Sequence, residues 1–269
     1  MNFKDIVNRL ELAKLFEFIC INYSKEVIKC MKYKIADIVV EFNASFNMLK
    51  VRANKYLAGN AENTKFIMCV YDEHIQKIKD NNPKITSELA EYMAMGTTFY
   101  RELLNYKGCL LHSSAVVIDN ECYLFSANCG VGKSTHTSLW LKFLADKKPY
   151  ILNDDKPAIR IMEDGIYAYG TPFSGKHDIN ENKRVKLKAI CFIEQSKTNS
   201  IRKLEPKEAI NLFYGQTLNE LNEDEVMKFL DILEIIVKKI PIYKLYCNMS
   251  EEAVRLSYNT LKGEDSSEN

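Results

Sequence analysis

Leu124-Phe-Ser-Ala-Asn-Cys-Gly-Val-Gly-Lys-Ser-Thr135 decides how this chain is read. An apolar β-type run enters a loop that ends in Gly130-Val131-Gly132-Lys133-Ser134, and residues 133–145 carry a helical pattern. Between a strand and a helix, such a loop binds phosphate. Glycines let backbone N–H groups converge on phosphate oxygens, and the helix N-terminus adds a positive dipole end. Lys133 would reach the β- and γ-oxygens and Ser134 would ligate Mg2+. The expected ligand is a nucleoside triphosphate held by Asn128, Cys129, Gly130, Val131, Gly132, Lys133, Ser134 and Thr135. One position departs from G-x-x-x-x-G-K-[ST]. Its first place is Ala127, which cannot take glycine's positive φ cheaply, so either φ stays below zero there or the loop is altered.

The segments on either side add chemistry. Upstream, two β runs at 109–118 and 121–126 are joined by Asp119-Asn120, residue types suited to a tight hairpin turn. The first run contains His112, a group able to donate, accept or titrate near neutrality. Downstream, the strand 150–153 ends in Asp154-Asp155. An acid at a strand end beside a phosphate loop holds Mg2+ or its waters, and a second acid can take the proton from an attacking hydroxyl. A third segment, Tyr169-Gly-Thr-Pro-Phe-Ser-Gly-Lys176-His177-Asp178, reads as a substrate or phosphate loop containing Ser174, or equally as a set of turn formers. Lys176 and Arg184 are the candidate cations for transition-state charge.

The rest of the chain frames these motifs. A helix is expected over 3–21, and strands around 33–42, 49–51 and 66–71. Ser87 is read as capping a helix over 88–104, and further strands fall near 158–162, 166–169 and 188–194. Helices are expected over 207–218 and 224–239, then a strand at 242–247 and a helix opened by Ser250. The expected organisation is an N-terminal α+β region over 1–105 and a phosphate-loop domain over 106–269. With 37 Lys+Arg against 36 Asp+Glu, no basic field gathers nucleic acid, and no nucleic-acid partner is expected. No apolar run reaches membrane length, so no membrane partner and a cytoplasmic location are expected. The eight cysteines are scattered, with no C-x-x-C pair, and read as free thiols in cores.

Leu110-Leu-His-Ser-Ser114 before the hairpin, Asn128-Cys-Gly-Val-Gly-Lys-Ser134 after it, and Leu152-Asn-Asp-Asp155 on the next strand together resemble the HPr kinase/phosphorylase superfamily, whose core is shared by phosphoenolpyruvate carboxykinases. The resemblance covers residues 108–195. It implies an α/β fold with a mixed β-sheet of that C-terminal-domain type, beside the smaller N-terminal region. It implies His112 as an active-site histidine, Lys133 and Ser134 as ATP and Mg2+ ligands, Asp154 as base for a serine hydroxyl, and Asp155 as its acidic and metal-binding neighbour. The expected activity is an ATP/Mg2+-dependent kinase acting on Ser or Thr of a protein or peptide, as a possible homo-oligomer. The alternatives weighed are a carboxykinase-like lyase with Lys176, His177 and Asp155 around a second metal, a small-molecule hydroxyl kinase, and an ATP-binding module without turnover.

Overall fold

The computed structural model describes residues 30–128, 130–218 and 221–263. The first elements are β1 (Met31–Ile35), β2 (Ile38–Phe42), α1 (Asn47–Ala53), β3 (Phe66–Ile67), α2 (Asp72–Asn81) and α3 (Ser87–Leu103). There follow β4 (Gly108–Leu110), β5 (Ser113–Ile118), β6 (Glu121–Ser126), α4 (Lys133–Phe143), β7 (Tyr150–Asn153), β8 (Ala158–Met162) and β9 (Gly165–Tyr169). The chain continues through β10 (Arg184–Gln195), β11 (Ser200–Lys203), α5 (Pro206–Tyr214), α6 (Glu223–Lys239), β12 (Ile242–Cys247) and α7 (Glu251–Lys262).

Among the described residues the strands form two sheets. β1, β2 and β3 make a small one; the large one is mixed, in the order β4-β8-β9-β10-β6-β5-β7, with β12 also beside β10 and β11 beside β12. β10 is the branch point: its start pairs antiparallel with β9 and its end parallel with β12. The sheet curls, because the segment feeding β10 meets β7: Asn180 bridges Asn153, and Glu181 N–H donates to Leu152 O at 3.0 Å.

Period-two alternation assigns the two faces of the large sheet. On β6, Cys122 and Leu124 join the core under α5 and α6, whereas Tyr123 and Phe125 face α4 and α7. Trp140, fully buried, wedges α4 in place with ring centroids 4.9 Å from Phe125, 5.3 Å from Tyr123 and 5.6 Å from Tyr258. A third core unites the small sheet and α3 with Leu110, Ala158, Tyr169 and Phe173. The thiols of Cys109, Cys122, Cys191 and Cys247 are small core groups as expected, whereas Cys30 and Cys69 are exposed, contrary to the core reading.

The hairpin signal at Asp119-Asn120 is realised with φ of 54° and 62°, and Ala36-Asp37 makes the same kind of turn at 51° and 60°. Several expectations change. Residues 49–51 are helical, not extended: Glu88 and Glu91 of α3 accept the N–H groups of Met48 and Phe46, satisfying a helix start that local propensity does not favour. Only Phe66–Ile67 of the run 66–71 pairs, in parallel with β2. Thr86, not Ser87, caps α3, accepting from Leu89 N at 3.2 Å. The run 109–118 is two strands, broken at Leu111-His112. α2 and β11 lacked a sequence pattern strong enough to announce them. The helix expected over 3–21 lies outside the described residues.

Gly170 marks the tightest approach in the curl. A Cβ there would lie 1.8 Å from Glu181 O and 2.9 Å from Leu152 O, both backbone atoms. Gly170→Ala should therefore cost about 3 kcal/mol or more in urea unfolding, since backbone cannot yield as a side-chain tip does.

Candidate active site

The glycine loop leaves the C-terminal end of β6 and opens α4. Gly130 and Gly132 take φ of +80° and +112°, a region that favours glycine, while Ala127 is absent from the positive-φ residues and is buried at the strand end. The first of the two possibilities for Ala127 thus holds, and the loop needs no glycine there. Among the described residues no side chain caps α4, whose N-cap is Gly132. Lys133 Nζ donates back to Ala127 O at 3.3 Å, spanning the loop. Ser134 and Thr135 are exposed at the first turn, and Asn128 O accepts from Val131 N. Gln195, at the end of β10, steadies the loop by donating to Val131 O at 3.0 Å. Cys129 lies outside the described residues.

Beside this loop the fold assembles three groups from two stretches. His112 sits in the gap between β4 and β5, where its N–H is taken by Gln216 O at 2.7 Å and its O by Ser126 Oγ at 2.8 Å. Its Nε2 lies 3.1 Å from Asp155 Oδ1. Asp154 faces the other way and accepts from Ser114 Oγ at 2.7 Å; Ser114 Oγ is in turn 3.1 Å from Thr137 Oγ1, one turn into α4. Burial alone would push the Asp155 carboxyl up, but the His112 hydrogen bond and the nearby Lys156, His112 and Lys133 charges outweigh it and hold it below its ordinary 3.8.

The loop 170–178 reaches the pair through Gly175, whose φ is +73° and where a Cβ would lie 2.8 Å from Asp155 Cβ. Residues from the first part of the chain clamp this loop: Arg52 donates to Gly175 O at 2.7 Å, Tyr56 OH to Asn180 Oδ1 at 2.7 Å and Lys55 to Asn180 O at 2.9 Å.

The three substrate candidates fare differently. Lys176 is carried close by its neighbour Gly175, with its side chain exposed. Ser174 is not available to a substrate: it is buried, donates to Asp178 Oδ1 at 2.8 Å and accepts from Asn180 Nδ2 at 2.8 Å, so it shapes the turn. Arg184 is not brought to the site. It starts β10, eight residues before Phe192, which pairs with Ser126, a run of about 26 Å along a strand; its guanidinium lies 3.5 Å from Asp37 and over the Tyr167 ring. Lys176 and His177 are both exposed, and no group of three His, Cys, Asp or Glu residues among the described residues makes a metal site. Gln216 and Arg52 escaped the sequence reading because each acts through a long-range contact with no local motif, and Ser114 was read only as part of a motif, without the contact to Asp154.

Two cavities meet at the loop. One of about 320 Å3 opens between the first turn of α4 and the ends of β10 and β12, lined by Gly132, Thr135, Leu139, Ile193, Gln195 and Met249. The other, of about 490 Å3, lies on the α5 side against Asn128, Phe192, Leu212, Gln216 and Lys244.

No protein-family model matches the sequence, and no curated protein matches it. Among solved structures the chain is similar to the HPr(Ser) kinase/phosphatase from Coxiella burnetii, at a TM-score of 0.34 and 14% identity over 58% of this chain and 98% of that one. The similarity is distant.

The lowered Asp155 carboxyl gives a pH prediction. Because its folded value lies below 3.8, the pair stabilises the fold above that pH and the contribution is lost as pH falls through the folded value. The Tm gap between wild type and Asp155→Asn should be widest near neutrality and shrink below pH 3.8, read by thermal melts across pH.

Proposed function

We propose that the chain is an ATP/Mg2+-dependent phosphotransferase that passes the γ-phosphate to a Ser or Thr hydroxyl of a protein or peptide. The observation that carries this reading is the convergence of His112, Asp154 and Asp155 beside a glycine loop whose positive-φ residues and uncapped helix start suit a phosphate chain. The acceptor class rests on the motif resemblance to serine kinases of the HPr kinase type.

Strand order supports a direction for the nucleotide. The acids lie on the β5 and β7 flank of β6, and the smaller cavity lies on the β10 and β12 flank. With the γ-phosphate at the acids, the nucleoside runs over the first turn of α4 toward Leu139, Ile193 and Met249, whose apolar surfaces suit a purine ring.

Mg2+, when bound, neutralises charge on the β- and γ-oxygens. The Ser134 hydroxyl and a carboxylate are oxygen donors that suit a hard cation and would hold it beside the phosphates. Lys133 binds the phosphates. The contacts favour a division of labour between the acids. Asp154, tied through Ser114 to the α4 side, would help hold the metal. Asp155, ionised and held by His112, takes the acceptor proton. This exchanges the roles that the resemblance implies for the two.

Calorimetry with ATP and Mg2+ should give saturable binding, weakened at least about tenfold in Lys133→Ala. Phosphate transfer to Ser/Thr peptides from labelled ATP should fall about 100-fold in Asp155→Asn with ATP affinity kept, whereas Asp154→Asn should raise the Mg2+ concentration needed. If Asp154→Asn instead loses turnover at saturating Mg2+, Asp154 is the base. If the wild type binds no ATP, the reading fails.

A further inference from the structure

We propose that the edge formed by Lys176 and Ile179, between β9 and β10, and by Val51 and Lys55, at the end of α1, is the docking surface for the phosphate acceptor. It selects a peptide segment with a carboxylate and an apolar side chain close to its Ser or Thr. This deepens the phosphotransferase reading and rests on it. In-line transfer puts the attacking hydroxyl on the side of the γ-phosphorus opposite the bridging oxygen of ADP. With the nucleoside on the β10 and β12 flank, the hydroxyl comes in from the β7 flank, past the acids. Residues 175–179 form the wall there: Ile179 O accepts from Asp154 N at 3.1 Å, and Gly175 presses on Asp155. An acceptor chain whose hydroxyl reaches the acids therefore lies against this edge.

The chemistry of the edge is one-sided. Val51 is 70% exposed and Ile179 43%, so two apolar side chains stand open beside the site. Arg52 donates to Gly175 O at 2.7 Å and Lys55 Nζ to Asn180 O at 2.9 Å, which makes α1 and the loop a single surface. Val51 precedes Lys55 by four residues, and both are on the exposed face of α1 and the turn Asn54–Tyr56 that continues it. The neighbouring carboxylates are already engaged. Asp178 Oδ1 accepts from Ser174 Oγ and Asn180 Nδ2 and lies 3.8 Å from Arg52 Nε, and Glu181 lies 3.6 Å from Lys183. Lys55 bonds to a neutral carbonyl, Lys176 is exposed, and among the described residues neither is in an ion pair. In a chain of formal net charge +1, two cations without a carboxylate thus flank two open apolar groups. A carboxylate on the acceptor supplies the missing partner, and an apolar side chain covers Val51 or Ile179. The edge abuts the acids directly, which favours the acceptor as occupant over a second copy of the chain.

The test uses full-length protein and three synthetic peptides of equal length with one central Ser, flanked by Asp and Leu, by Ala, or by Lys and Leu. Binding is read from the anisotropy of a fluorescein label, and transfer from phosphate incorporated out of labelled ATP with Mg2+. The Asp/Leu peptide should bind at least about tenfold more tightly than the Lys/Leu peptide and show a kcat/KM higher by a similar factor, with the Ala peptide between. Lys176→Glu should reverse the order of the Asp/Leu and Lys/Leu peptides, whereas lost folding or lost transition-state charge would lower all three alike. Val51→Asp should weaken the Asp/Leu peptide at least about threefold relative to the Ala peptide. Equal handling of the three peptides by wild type overturns the proposal, as does a Lys176→Glu protein that keeps the wild-type order. Ordered binding without transfer, in a protein that hydrolyses ATP, also overturns it, because the segment held there is then not the acceptor. So does self-association in sedimentation that Val51→Asp abolishes while the peptides show no order, which would assign the edge to a second copy. A wild type that binds no ATP overturns the phosphotransferase reading instead, and the order of peptide binding still reports on the edge.

Discussion

The buried side chain of Asn153 holds the site together. Standing at the end of β7, its Oδ1 accepts from Asp155 N at 3.0 Å and Lys156 N at 2.8 Å, while its Nδ2 donates to Thr171 O at 3.1 Å. The first pair of bonds turns the chain as soon as the strand ends, in the manner of an Asx turn. Two neighbouring carboxylates therefore leave in different directions, one to Ser114 and one to His112. The third bond hangs the loop 170–178 on the same amide. Thr171 continues the chain of bonds to Lys156 O at 2.9 Å, and Tyr100 OH also donates to Lys156 O. Removing one member of such a network strands buried donors, each costing about 1–3 kcal/mol, so the turn and the acids are fixed together.

What the sequence made legible is what neighbours in sequence decide. The glycine loop, the Asp119-Asn120 turn, the alternating strands and the Ser250 cap are all set within a few residues, and all appear in place. The break at Leu111-His112 was not legible, because an unbroken apolar run gives no sign that its halves pair with different strands: β4 with β8, and β5 with β6 and β7. Nor was α1, whose start depends on two glutamates some 40 positions away. Arg184 misled for a related reason. As a cation just after the loop 170–178 it looked close, but β10 is long and carries its start far from the phosphate end. Ser174 misled because a hydroxyl in a polar loop serves a turn as readily as a substrate.

The first part of the chain contributes backing to the site. Arg52, Lys55 and Tyr56 of α1 and the turn after it, with Tyr92 of α3, bond to Gly175, Asn180 and Pro172 of one loop. Arg52 also lies 4.7 Å from the Tyr92 ring centroid, so its stem and charge are both engaged. At Gly175 the loop backbone presses on Asp155 so closely that no side chain fits between them. Displacing α1 would therefore be felt at the carboxylate, through close-packed atoms and not through a long-range field.

Charge supplies the last link between loop and acids. Among the influences holding Asp155 ionised, against the cost of its burial, is the positive charge of Lys133. That ammonium is the group the phosphates would engage. On the phosphotransferase reading, a triphosphate on Lys133 would offset that one contribution, the smallest of those that hold the carboxyl down, and so raise its affinity for a proton. On that reading Asp155 would be a somewhat stronger base once the acceptor hydroxyl has a phosphate to attack.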